Sequence, residues 1–192
     1  MGILDALKGS ALRSPKSVRH KGKRLTDILE AHARFVRGDE SGARADLTNA
    51  DLSHVDFTGQ TLAYVNFHGA NLEAASFRDA KLGSADLGGV RAPGADLRRA
   101  DLTETNLSGA DLSDAQVGGA ELFRANLSGA ILRNADFGAA NFRDANVDGA
   151  DFRGAGMRTA ILRETKLDSA NLSGVDLSTA LLPRGYKAPE AK

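Results

Sequence analysis

The sequence predicts an all-β solenoid assembled from very short extended pieces and closed at one end by a single α-helix. Three observations predict it. Apolar residues recur at every fifth position through most of the chain, corner-forming residues fill the gaps between them, and large side chains are scarce. The 192 residues include 21 Gly, no Cys, no Trp and only 5% aromatics. Such a composition suits neither a bulky core between long helices nor a conventional sandwich. The absence of Cys excludes disulfides, thiolate nucleophiles and cysteine-based metal sites. The length is that of one ordinary domain, or of a smaller one with an appended segment.

From position 45 to 184 the chain divides into 28 consecutive blocks of five residues without an insertion. The third residue of a block is Leu or Phe in 24 cases, with Ala92, Val117, Val147 and Met157 as the exceptions. Ala opens 21 blocks, Asp or Asn is second in 17, and Gly is fifth in ten. A period of five matches neither a helix nor a strand. In extended backbone the first and third residues point to one side and the second to the other. Each block therefore supplies two inward groups and then a corner, where Asp, Asn, Ser and Gly are at home. One block buries too little to stand alone, so blocks must stack, as they do in solenoids.

Blocks such as Ala45-Asp46-Leu47-Thr48-Asn49, Ala110-Asp111-Leu112-Ser113-Asp114 and Ala125-Asn126-Leu127-Ser128-Gly129 resemble the A(D/N)LXX motif of the pentapeptide repeat proteins. The resemblance covers about three quarters of the chain. It implies a right-handed quadrilateral parallel β-helix with four blocks to a coil, hence about seven coils. At strand spacing such a rod is about 34 Å long. The inward Leu and Phe, each contributing about 1.5–3 kcal/mol when buried, make a substantial core. Ala92 and Pro93 interrupt the pattern. They are read as a local kink over 90–94, a tolerated defect and not a functional notch.

The segments flanking the repeat differ from it. Leu25, Ile28, Leu29, His32, Phe35 and Val36 share one face at helical spacing, which predicts an amphipathic helix over 25–37. Asp27 with Glu30 resembles a capping box, and Gly38 is a stop signal. A solenoid end exposes an unpaired edge and bare core. This helix, within a lead-in over 25–44, is the expected lid, with Asp27, Ile28, Leu29, His32, Phe35 and Val36 as the cap. His32 reads as a partly buried lid residue and not as a ligand. A His-containing helical lead-in of this kind resembles the segment before the repeats in many bacterial members of the family.

Residues 1–24 form a basic tail, expected to be flexible. Lys8, Arg13, Lys16, Arg19, Lys21, Lys23 and Arg24 stand against Asp5 alone, a net of +6. With Ile3, Leu4 and Leu7 before them, these residues could instead meet anionic lipid or nucleic acid. At the other end, residues 185–192 read as a tail. Leu181, Leu182 and Tyr186 leave the last coil partly open, which favours an end-to-end homodimer. Without a signal-peptide pattern or an apolar span, the expected location is cytoplasmic, with peripheral membrane contact through residues 1–24 as the alternative.

Catalytic patterns do not emerge. His20, His32, His54 and His68 form no HxxxH or HExxH pair, and neither a phosphate loop nor a GxSxG elbow occurs. Asp46, Asp51 and Asp56 belong to corners. The expectation is a non-enzymatic protein with no catalytic residue, no metal and no cofactor, working as a scaffold. Its candidate partner face is the one built on Leu62, Leu82 and their successors. There Tyr64, Phe123, Ile161 and Leu181 stand where polar residues are expected, with Arg124, Arg143, Arg163 and Arg184 beside them. Aromatic residues and Arg are enriched at interfaces. The family resemblance implies another partner, DNA gyrase, which some members protect or inhibit by imitating duplex DNA. A rod of this length would need on the order of 20 negative charges to match a duplex. The blocks hold 19 acidic and 13 basic residues, net −6, divided −3, −2, −1 and 0 among four faces.

Overall fold

The computed structural model describes residues 11–186, so Ile3, Leu4, Leu7, Lys8 and the residues after Tyr186 lie outside the described residues. From 46 to 181 the backbone is tied by parallel bridges between residues twenty apart. Asp46 pairs with Asn66, Asp51 with Asn71, Asp56 with Ser76 and Thr61 with Lys81, and each column continues in the same step. Four columns mean four blocks per turn. We number the faces one to four by the blocks that open at Ala45, Ala50, Val55 and Gln60.

A block in the middle turns contributes three bonds between turns and one within its corner. The Leu47 N–H donates to Asn66 O at 2.7 Å, Asn49 N–H to His68 O at 2.9 Å, and Asn66 N–H to Ala45 O at 3.1 Å. The corner closes with Ala50 N–H on Leu47 O at 3.1 Å. The fifth residue of every block from Asn49 to Glu164 has positive φ, and the fourth does not. That combination is a type II turn, which explains the preference for Gly at the fifth position. All seventeen second-position Asp and Asn accept, through Oδ1, the N–H two residues on. These carboxylates and amides hold the corners, as the repeat predicts.

The first and third residues fill the interior. Phe57 stacks on Phe77 at 4.9 Å, one turn apart, with Phe67 edge-on to both. A second aromatic trio, Phe137, Phe142 and Phe152, sits further along. Thr105 and Thr165 replace the opening Ala and are buried. Their hydroxyls donate to Leu82 O at 2.9 Å and Phe142 O at 2.6 Å, so neither hydroxyl is left bare.

The expected kink at Ala92 and Pro93 is not formed. Arg91, Ala92 and Gly94 keep their bonds between turns, and Pro93 O accepts the Ala74 N–H at 3.0 Å. The reason lies in the corner. The fourth residue's N–H takes no part in the ladder and normally goes to the second-position Asx side chain. Arg91 offers no such acceptor, and Pro is favoured at this place in a type II turn.

Residues 11–24 also differ from the flexible tail that composition predicts. Arg13 N–H donates to His54 O at 2.6 Å and Arg13 O accepts from Asp56 N–H at 3.0 Å, which adds a rung to face three. A 3₁₀ turn at Pro15–Ser17 follows, and Val18 is buried. Strands β1 (Arg19–His20) and β2 (Lys23–Arg24) form a hairpin whose two central residues, Lys21 and Gly22, both have positive φ, a type I′ turn.

Helix α1 (Leu25–Val36) begins directly after β2. Its N-cap is Arg24, which offers no side-chain acceptor, and Asp27 lies one turn too late to cap. The expected Asp27–Glu30 capping box is therefore absent, and Asp27 pairs with Arg24 at 2.9 Å. Leu25 and His32 are buried, Ile28 and Leu29 pack against the core, Val36 is half-buried, and Phe35 is exposed beside the His32 ring at 5.8 Å. Only Gly fits at 42, since a Cβ there would lie 2.1 Å from Phe35 N.

The last turn is looser. Bridges hold at Asn171 and Leu181 but are not formed at Lys166 and Asp176. Ser169 and Thr179 lack the positive φ of other corners. Such a corner turns its central peptide over and removes the carbonyl that would accept from the turn before. Their hydroxyls stand in, accepting Gly149 N–H at 3.3 Å and Thr159 N–H at 3.2 Å.

Candidate partner-binding face

Face four is where the outward positions depart most from corner chemistry. A polar side chain at the fourth position can reinforce the corner by bonding the second residue, as Thr48, Ser108 and Ser113 do, whereas an apolar one adds nothing to it. Phe123 occupies such a place and is half-buried. Arg124, next in the chain, lies 4.8 Å from its ring centroid, and Arg143, one turn on, lies 5.7 Å away. Both guanidiniums are held from outside. Arg124 meets Glu104 at 3.8 Å and Asp144 at 4.0 Å, and Arg143 meets Glu164 at 3.7 Å. Two cations thus lie over the ring inside an ion-pair lattice.

The other predicted members divide into separate places. Ile161 bridges both Asn141 and Leu181, so Ile161 and the 45%-exposed Leu181 form an apolar step at the C-terminal end of the face. Arg163 lies between the two groups, and neither it nor Arg184 has a carboxylate partner among the described residues. Tyr64 does not join them. It is 50% exposed on the first turn, three turns or about 14 Å from Phe123, and its carbonyl accepts from Arg44 Nε. Leu182 and Tyr186 are half-buried and pack against the end of the core, while Leu181 stays outside.

Sequence reasoning missed three clusters. Ile131, 38% exposed, takes a second position on face two where Asp or Asn is usual, a signal of the same kind as Ile161. Beside it Asp151 accepts from both Arg133 at 2.6 Å and Arg153 at 2.7 Å. The Arg153 bond is the main reason its carboxyl stays below the usual range, with Arg133 acting in the same direction. On face three Arg99 pairs bidentately with Asp79, and Arg98 with Asp96. The third cluster is a cleft between cap and rod, lined by the hairpin, α1 and the lead into the first turn. No helix among the described residues is long and apolar enough to cross a membrane.

The repeats have counterparts among known proteins. A family model described as pentapeptide repeats matches in eight copies, over residues 43–79, 80–115, 120–158 and 157–182. HetL, a pentapeptide repeat protein involved in heterocyst differentiation regulation from the cyanobacterium Nostoc sp. strain PCC 7120, is 32% identical. The match covers 77% of this chain and 74% of that one, with a TM-score of 0.37. A pentapeptide repeat protein from the Arabidopsis thaliana thylakoid lumen is 34% identical over 63% of this chain and 70% of that one, TM-score 0.31. QnrB1, a plasmid-mediated fluoroquinolone resistance protein, is 22% identical over 72% and 80%, TM-score 0.42. No curated protein matches the chain.

Proposed function

The chain belongs to the pentapeptide repeat family, and from that premise we propose that it is a non-enzymatic scaffold. It holds a protein partner against face four of a right-handed rod of seven coils. The observation that carries this reading is the Phe123 ring in contact with the guanidiniums of both Arg124 and Arg143. Elsewhere on the rod a second-position Asp or Asn is accounted for by the corner it holds. Phe123, Ile161 and Leu181 contribute nothing to corners. Cation–π contacts of about 0.5–1 kcal/mol at an exposed site do not account for placing a large aromatic there. An aromatic flanked by Arg is the composition of an interface centre.

The test is Phe123→Asp combined with Ile161→Asp. The double variant should keep the circular dichroism and unfolding midpoint of the parent and lose the protein that the parent captures from a lysate. Undiminished capture would overturn the assignment of this face.

The duplex-mimic reading has less behind it, because many rod carboxylates are already neutralised. Asp79, Asp96 and Asp151 each face at least one guanidinium within 3.4 Å. A gyrase supercoiling assay separates the two readings: the scaffold leaves supercoiling and quinolone sensitivity unchanged.

A further inference from the structure

In the cleft at the cap, cations outnumber their carboxylate partners around a concavity. Its polar lining is His20, Lys21, Lys23, Asp27, Arg44 and Asp46. Both carboxylates are engaged. Asp46 Oδ2 accepts from Lys21 Nζ at 2.6 Å and Asp27 Oδ1 lies 2.9 Å from Arg24 Nη2. Among the described residues neither Lys23 nor Arg44 has a carboxylate partner. Arg44 is tethered through Nε to Tyr64 O, which leaves its two terminal nitrogens available. His20 Nε2 is buried and has no hydrogen-bond partner. A buried polar atom without a partner is rare and costly and calls for an explanation; His32 Nε2 and Arg34 Nε share this state, but of the three residues only His20 lines the cleft.

The backbone adds an independent sign. Lys21 has φ +47, in a turn position normally taken by Asn, Asp or Gly. It is the single described non-Gly residue with positive φ outside the repeat corners. Strain of this kind persists where the surroundings hold it, commonly at binding sites. Here it places the Lys21 ammonium against Asp46 and keeps that carboxylate from cancelling Lys23 and Arg44.

We propose that this cleft binds a phosphate-bearing anion, with Lys23 and Arg44 as its charge partners and His20 Nε2–H as the third donor. A tetrahedral dianion accepts such charge-assisted bonds on several oxygens at once. The groups facing His20 are Lys21 and Lys23 of the hairpin, Asp27 of α1, and Arg44 and Asp46 of the first turn. Burial and then Lys21 lower the His20 pKa, with Asp46 opposing, so a bound dianion raises it. The site is separate from face four, and the failure of one leaves the other standing.

The experiment is an NMR titration of the full chain with inorganic phosphate at constant ionic strength. Saturable shifts confined to His20, Lys23, Arg44 and their neighbours are expected, together with an upward move of the His20 titration midpoint. Lys23→Gln with Arg44→Gln should weaken binding by about tenfold or more, while Arg158→Gln, on face three, should leave it unchanged. Phosphatidylcholine vesicles with and without phosphatidic acid identify the source of the phosphate. Sedimentation only with phosphatidic acid, reversed by free phosphate, assigns a lipid headgroup. Saturable binding without sedimentation assigns a soluble phosphate ester. Linear shifts spread over Arg13, Lys16 and Arg19, or native affinity in the double variant, would overturn the site.

Discussion

His32 joins the cap to the rod through a hydrogen bond that exists only while its Nδ1 is unprotonated. Its Nδ1 accepts the Ala45 N–H at 3.1 Å in a fully buried setting. Burial pushes its pKa below the usual 6.5, and Arg44 adds to that, while the Ala63 carbonyl works the other way. The folded value lies below the unfolded one. The stability tied to neutral His32 is therefore complete above 6.5 and declines as the pH falls further. Urea unfolding followed through the helix signal should weaken between about pH 7 and pH 5, and His32→Gln should remove most of that dependence. Backbone conformation gives a second test at this scale. Pro93→Ala should change stability by less than about 0.5 kcal/mol, because no ladder bond uses that nitrogen. Gly94→Val, at φ +66, should cost about 1–2 kcal/mol. Equal costs in thermal unfolding would contradict the corner described above.

At the scale of one block, the corner and the wall are separable. The wall depends on packing, so Phe142→Ala, which empties the centre of an aromatic trio, should cost about 3–5 kcal/mol. The last turn depends on hydroxyls that replace lost carbonyls. Thr179→Val removes the acceptor for Thr159 N–H and should cost about 1 kcal/mol. Amide exchange at Thr159 should quicken with it, and unchanged protection there would refute the substitution of hydroxyl for carbonyl. The helical cap follows different rules. It has no repeat to support it and relies on Leu25, Ile28, Leu29 and His32 meeting the first turn.

Over the whole molecule charge is divided along the rod. Residues 11–44 carry nine Lys and Arg against four Asp and Glu, net +5, whereas 45–184 are net −6. The neutral total conceals a basic end and an acidic shaft. The step of twenty residues makes a further prediction. Deleting 85–104, one full turn, returns every residue to its own column and should give a shorter protein that still unfolds cooperatively, with a smaller urea m-value. Deleting 85–87 puts polar residues on the wall and should abolish folding. A shortened chain that fails to fold would show that the turns are not interchangeable.

The repeat, the polarity of each block position and the presence of a helical lid were legible from residue order, because they rest on contacts within about four residues. Asp46 reaches Thr48, and Ala50 reaches Leu47, whatever else the chain does. Relations across twenty residues are a different matter, since a pattern of five does not state how many blocks close a turn. The meeting of Phe123 with Arg143 and the isolation of Tyr64 from it both depend on that number. The hairpin over 19–24 was hidden for another reason: Lys21 takes a place where Asn or Gly would have announced a turn, so its cations read as a solvated run. Local hydrogen bonding wrote the fold into the chain, while the way turns stack and the cap folds back decided which surface groups meet.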